Sequence, residues 1–224
     1  MTINEFLVKY VRISKKEAFR LIQESCVLVN TLPAKQMQRV LKHEAIHVNG
    51  LCVQEAIHFQ YIAFYKPRGI ECTLNPDIED NLLSVLPFSE HLFPIGRLDK
   101  ESEGLLILTN DGTLYNHIAL ADAYKEKEYI VTVENNLTDT AIDLLSSGKI
   151  VIMGRSVRPA QIEQLDAKTF SIILTQGLNR QIRRMCHKIE NEVISLKRIR
   201  ISTIELLDLK PGEYRVLDRD EFGD

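Results

Sequence analysis

The sequence predicts an α+β fold, with a mixed, mainly antiparallel sheet following a small N-terminal module. Three observations lead there. Apolar residues fill 45% of the 224 positions, which is ordinary for a globular chain and enough to bury a sizeable core. Segments of period two and segments of helical period are interspersed without the regular spacing of β-α-β units. Helix caps and Gly or Pro stops punctuate the chain at short intervals.

The elements follow in order. Ile3, Phe6, Leu7 and Tyr10 have helical spacing. Ser14 is a good N-cap, and Glu17 three residues later completes a capping box. The helix from Lys15 to about Glu24 buries Ala18, Leu21 and Ile22, and its other face presents Lys15, Lys16 and Arg20. Val27 to Val29 reads as a strand with Asn30 in a turn, and Ala45 to Gly50 is a second strand and turn. The boundary falls near residues 54 to 60, giving a module over 1–56 and a larger domain over 57–224. Phe59 to Tyr65 opens that domain as an apolar strand, ended by the turn Lys66-Pro67-Arg68-Gly69. Asn81 to Leu86 is a short helix stopped by Pro87, and Leu105 to Leu108 a buried strand. Asp111 caps a helix through Ala121, and Tyr129 to Val133 alternates as a strand. Thr138 to Ser147 is an amphipathic helix closed by Gly148. Gln161 to Leu165 and Phe170 to Leu174 form a hairpin, Asn179 to Ile189 a basic helix, and Val193 to Ile201 and Tyr214 to Leu217 further strands.

Composition narrows the function. No apolar run approaches the length of a membrane span, and the first residues, with Asn4, Glu5 and Lys9, do not make a secretory signal. A cytoplasmic bacterial-type protein with no membrane partner is expected. Cys26, Cys52, Cys72 and Cys186 are far apart and read as reduced thiols. The six histidines lack metal-ligand spacing, so no metal is expected. The net charge of −3 is unevenly spread. Residues 1–60 carry a net +3 and residues 61–224 a net −6, yet residues 176–200 hold seven basic side chains against two acidic. Local basic patches, not the total, attract a polyanion, although charge runs are often only solvated faces.

The most informative stretch runs from Phe93 to Gly112. In it Gly96-Arg97-Leu98-Asp99-Lys100-Glu101-Ser102-Glu103-Gly104 separates two apolar runs. It places one carboxylate, Asp99, in a Gly-bounded loop, where scaffold-held catalytic groups tend to sit. A carboxylate there also serves as a turn former or helix cap.

These residues resemble the signature of the pseudouridine synthases, in the branch that modifies ribosomal RNA. Lys66-Pro67-Arg68-Gly69 resembles that family's first motif and Lys127-Glu128-Tyr129 the motif carrying an active-site Tyr. Gly177 to Cys186 resembles the late motif carrying an active-site Arg. The wording of the second and fourth motifs is nearest the large-subunit enzymes. The resemblance implies Asp99 as the catalytic residue, Arg183 as its guanidinium partner, Tyr129 against the target base and Leu196 on the base's other side. Arg97, Lys66 and Arg68 are read as phosphate contacts, and Asn179, Arg180, Gln181 and Arg184 as contacts to phosphate or to the flipped-out strand. The N-terminal segment resembles the RNA-binding module of small-subunit ribosomal protein four, with Lys15, Lys16 and Arg20 on its basic helix. It departs from that pattern at Ser14-Lys15 for Ser-Arg, at Ser25-Cys26 for a Gly, and at Thr31 for another. In the late motif Gln176 stands where the family often has Glu.

The implied reaction breaks the bond from uracil N1 to ribose C1′, turns the base and rejoins it through C5. It needs a carboxylate at the sugar, a pocket for the base, and access to the nucleotide outside its stack. It needs no redox step and no cofactor. The expected partner is structured RNA, ribosomal RNA first and tRNA as the alternative, bound by a monomer. Three other readings compete: a non-catalytic RNA-binding assembly factor, a synthase acting on small-subunit RNA or tRNA, and a glycoside hydrolase pairing Asp99 with Glu101 or Glu103. The last needs two carboxyls across a sugar, which neighbours in one loop do not supply by themselves.

Overall fold

Contacts along the chain divide into two compact units, Met1–Phe59 and Gln60–Asp224. The computed structural model describes residues 1–87, 92–118 and 124–223.

The first unit begins with helix α1 (Ile3–Phe6), a π-helical turn over Leu7–Val11, and helix α2 (Lys15–Gln23). Ser14 caps α2 by accepting from the Glu17 amide at 3.1 Å. The reciprocal half of the expected capping box is not made, because the Glu17 carboxylate is taken by Arg20 at 2.6 Å. A full capping box forms instead at Thr2 and Glu5. Strands β1 (Val27–Val29), β2 (Leu32–Pro33), β3 (Ile46–Val48) and β4 (Leu51–Gln54) make a four-stranded sheet in the order β2-β1-β3-β4. Ile3, Leu7, Ala18, Val27 and Ile46 are fully buried between helices and sheet. At the second departure from the module pattern, Ser25 adopts the left-handed backbone at φ 57°, the conformation a glycine enters without strain.

The second unit is built on a nine-stranded sheet. Its strands in chain order are β5 (Tyr61–Lys66), β6 (Phe93–Ile95), β7 (Glu103–Thr109) and β8 (Lys127–Val133). A separate two-stranded hairpin, β9 (Val151–Ile152) and β10 (Arg155–Ser156), follows. The sheet then continues with β11 (Gln161–Gln164), β12 (Thr169–Leu174), β13 (Val193–Ile201), β14 (Ile204–Glu205) and β15 (Tyr214–Val216). Its main path is β11-β12-β8-β13-β7-β5-β15, with β14 beside β13 and β6 beside β7. Among the described strands of this sheet only β7 and β13 pair in parallel; the other strand pairings are antiparallel. The sheet is thus mixed and mainly antiparallel, as the sequence predicts.

The central strands show why an apolar run without alternation forms here. Every residue of β5 is buried, and all of β7 beyond Glu103. Strands covered on both faces lose the alternation of half-exposed ones. Strand β8 keeps it, with Tyr129, Val131 and Val133 buried on one face. That face packs beneath helices α4 (Asp139–Ser146) and α5 (Gln181–Lys188) through Leu145, Ile182, Met185 and Cys186.

Several elements are shorter than the sequence suggests. The helix expected over Asn81 to Leu86 is one 3-10 turn, Leu82–Ser84, capped by Asn81. Asp111 caps helix α3 (Gly112–Ile118) by accepting from the Thr113 amide at 2.9 Å; its expected end at Ala121 lies outside the described residues. Helix α5 starts at Gln181, two residues late, because Arg180 sits in the left-handed region at φ 51°. Strand β6 is not among the elements expected from the sequence, and its Pro94 cannot donate to a ladder. The proline is tolerated because, among the described residues, β6 pairs with β7 alone.

Candidate active site

The loop from Gly96 to Ser102 joins β6 to β7, and basic side chains hold its backbone. Lys66 at the end of β5 is fully buried, and its ammonium donates to the carbonyls of Pro67 and Ser102, each at 2.8 Å. The Gly69 amide donates to the Lys100 carbonyl at 2.8 Å. Arg183 on α5 donates through Nη2 to the Glu101 carbonyl at 3.3 Å and to Ser102 Oγ at 3.2 Å, and through Nη1 to the Val193 carbonyl at 3.2 Å. Arg198 on β13 reaches the Arg97 carbonyl at 3.5 Å and the Leu105 carbonyl at 2.7 Å. Hydrogen bonds from charged donors are worth about 1.5–3 kcal/mol each, so the loop is fixed before any ligand arrives.

That scaffold presents Asp99. Its Oδ2 lies 3.8 Å from Arg183 Nε and 4.0 Å from Arg180 Nη1. Both distances exceed a hydrogen bond. The Arg183 guanidinium therefore faces Asp99 through Nε alone, which is buried without a hydrogen-bond partner. The bidentate pairing open to an Arg and a carboxylate is not made, because both Nη groups are spent on the loop and β13. Burial first, then the Arg180 charge, pull the Arg183 pKa below its ordinary value. Arg180 is held mainly by Glu101 at 2.9 Å, and this bond keeps Glu101 below the usual carboxylate range.

Asp99 lines a cavity of about 300 Å³. Of the residues singled out in the sequence, Tyr129, Leu196, Arg97, Arg180 and Gln181 line it too. Tyr129 is the cross-strand partner of Arg198, and Leu196 that of Val131, so Tyr129 and Leu196 lie on neighbouring strands at the cavity wall. Among the described residues the Tyr129 hydroxyl has no hydrogen-bond partner, and it is available to a ligand.

Other expected contacts are placed differently. Lys66 was read as a phosphate contact; it has no exposed surface and acts instead as a support for the loop. Burial pushes its pKa down to about 8. Gln181 is buried and accepts from the Leu178 amide at 3.0 Å, so its carbonyl braces the turn before α5. Arg184 donates to Asn179 Oδ1 at 3.2 Å, and neither lines the cavity. Arg97 and Arg68 are exposed. In the first unit Lys15 and Lys16 are exposed, whereas Arg20 is engaged by Glu17 at 2.6 Å and Glu24 at 3.7 Å.

Sequence reasoning assigned no role to Ser102, Arg198 or Lys127. Ser102 is buried and offers its hydroxyl to Arg183 and its carbonyl to Lys66. Lys127 and Arg198 line the cavity. A signal existed for Lys127: it shares the apolar face of β8 with Tyr129, Val131 and Val133, where a lysine is out of place.

The chain was compared with known proteins. The family described as RNA pseudouridylate synthase matches residues 60–188. The dual-specificity RNA pseudouridine synthase RluF of Salmonella typhi is 38% identical over 224 residues, covering 99% of this chain and 77% of the relative. An uncharacterized RNA pseudouridine synthase of Aquifex aeolicus is 32% identical over 228 residues, covering 99% of this chain and 94% of the relative. A crystal structure described as a pseudouridylate synthase superposes with a TM-score of 0.68 at 26% identity, covering 99% of this chain and 98% of that one. With a carboxylate, a tyrosine and a leucine gathered at one cavity and a family match across more than half its length, this chain belongs to the RNA pseudouridylate synthase family.

Proposed function

We propose that this enzyme isomerises uridine to pseudouridine in large-subunit ribosomal RNA, with Asp99 as the group that acts on the ribose. The observation that carries this reading is Asp99 itself. Among the described residues it is the one carboxylate lining the cavity, flanked by two guanidiniums at 3.8 and 4.0 Å. A volume of about 300 Å³ lies at the small end of ligand pockets and suits a single flipped-out nucleotide. The uracil ring would lie against Tyr129, with Leu196 on its other side. The Tyr129 hydroxyl is then free to bond the base or sugar. Arg183 and Arg180 flank the Asp99 carboxylate and keep it oriented. Arg97, Arg68, Asn179 and Arg184 are assigned to the phosphates of the flanking strand, contacts that position RNA more than they specify it.

Residues 1–56 are assigned to RNA binding, with Lys15 and Lys16 as the exposed cations, and residues 57–224 to catalysis. The RluF relatives are named as dual-specificity RNA enzymes. This supports a second RNA target, and tRNA is the class we assign. The enzyme is read as a cytoplasmic monomer that uses no cofactor; among the described residues no helix is long and apolar enough to cross a membrane. The test is direct. Purified protein is incubated with ribosomal RNA and tRNA from cells lacking the gene, and pseudouridine is mapped. Conversion of uridine in the large-subunit RNA is expected. Conversion confined to small-subunit RNA or tRNA would replace the assigned target, and no conversion at all would favour the non-catalytic binding protein.

A further inference from the structure

Beside Tyr129 the cavity wall carries two cations that no acid among the described residues pairs with. Lys127 and Tyr129 are two residues apart on β8, so they leave the same face of the strand roughly 7 Å apart. Arg198 stands opposite Tyr129 on β13. Lys127 and Arg198 both line the cavity with Asp99. Arg198 is 2% exposed, and its Nη2 is buried with no hydrogen-bond partner. The one acceptor that Lys127 Nζ reaches among the described residues is the Lys125 carbonyl at 3.2 Å. The acids next to it in sequence, Glu126 and Glu128, are both taken by Arg200, at 3.0 and 2.8 Å. Burial first, then the Arg198 charge, push Lys127 down to about 8. A cation drawn out of water costs free energy unless it is paired, and among the described residues neither the half-buried Lys127 nor the buried Arg198 has an acidic partner.

We propose that Lys127, with Arg198 beside it, binds the carbonyl edge of the target uracil and carries the negative charge the base gains when it leaves the sugar. The inference rests on the reading of Asp99 and the cavity given above. When C1′–N1 breaks heterolytically, its electron pair departs with N1, and the base becomes an anion with charge spread over N1, O2, C5 and O4. The sugar is balanced either by a new bond from Asp99 to C1′ or by loss of a C2′ proton to Asp99. After the base turns, C5 supplies the pair that forms the new bond to C1′, while the Asp99–C1′ bond breaks in the first variant or Asp99 returns its proton to C2′ in the second. The C5 proton is then lost and N1 gains one, so nothing is oxidised or reduced. In both variants the base is anionic midway, and donors fixed where charge develops stabilise it most.

Lys127→Met, Lys127→Arg and wild type are compared in single turnover on RNA from cells lacking the gene. The same RNA from cells grown with 5-fluorouracil serves as a second substrate. Fluorine at C5 stabilises the uracil anion, so the fluorinated base needs less help to leave, and consumption of the nucleoside is scored. Lys127→Met should slow uridine conversion about 10²- to 10³-fold, the range for losing one preorganised donor, with RNA affinity unchanged. Its deficit should shrink about tenfold on fluorinated RNA, as Brønsted behaviour implies. Lys127→Arg keeps the charge and should recover most of the rate. The groups facing Lys127 across the cavity are Arg97, Asp99, Arg180 and Arg198, with Tyr129 on its own strand. Its ammonium is complete below about pH 8 and lost above, so the wild-type rate should fall as pH rises through 8 and the Lys127→Arg rate should not. Equal deficits on the two RNAs, or a Lys127→Met rate near wild type, overturn the inference and leave the proposed function standing. A wild type inert on every RNA overturns both.

Discussion

Asp99 touches little besides two guanidiniums, neither within hydrogen-bond distance of its carboxylate. Its charge is therefore dispensable for the fold and indispensable for the proposed chemistry. Asp99→Asn should abolish turnover, with melting temperature and RNA affinity close to wild type; turnover above a percent of wild type would remove Asp99 from its role. Arg183 is the opposite case, since it holds the carbonyls of Glu101 and Val193 and the Ser102 hydroxyl. Arg183→Lys keeps the charge but loses the fork, and a displacement of about 1 Å at the reacting group costs on the order of 100-fold. Kinetics should show that loss in kcat with KM little changed. At this scale the motifs led to Asp99, Tyr129 and Leu196, because the signature fixes order along the chain and the fold brings them to one cavity. They misjudged Lys66, because residue type says nothing about burial: a lysine read as a phosphate ligand has its ammonium sealed under the loop.

Among the elements, the pairing of β7 with β13 matters most to the site, since it ties the Asp99 loop to the strand carrying Leu196 and Arg198. Gly104 permits it. At φ +103° an added Cβ would meet the Arg198 carbonyl oxygen at 2.3 Å, backbone that cannot step aside. Gly104→Ala should destabilise the protein by about 3 kcal/mol or more, as overpacking against fixed backbone does. Gly112→Ala, at the start of α3 with nothing within 4 Å of the added Cβ, should be neutral or slightly stabilising. Urea unfolding of both variants checks the pair. The strands with a clear period, β8 and β12, were legible from apolar spacing. The two-residue strands β2, β9, β10 and β14 were not, because two residues carry no period. The parallel register of β7 and β13 was also hidden, since the partners are 94 residues apart at Gly104 and Arg198 and only the folded sheet relates them.

For the whole molecule, the net charge of −3 conceals how unevenly charge is placed. Basic side chains crowd one cavity in the second unit, and Lys15 and Lys16 stand exposed on α2 in the first. Replacing both lysines with alanine should weaken RNA binding and lower the slope of log affinity against log salt by roughly 1 to 2, as loss of two phosphate contacts implies. Single-turnover rate at saturating RNA should stay near wild type. An unchanged salt slope would remove α2 from the RNA contact. Contacts along the chain divide between Phe59 and Gln60, whereas what the first unit binds rests on resemblance. The most direct test of the central claim is pseudouridine mapping of ribosomal RNA and tRNA from cells lacking this gene, complemented with wild type or with Asp99→Asn. Loss of a large-subunit site, restored by wild type alone, is the predicted result; a full set of sites in the deletion strain, or restoration by Asp99→Asn, would contradict it.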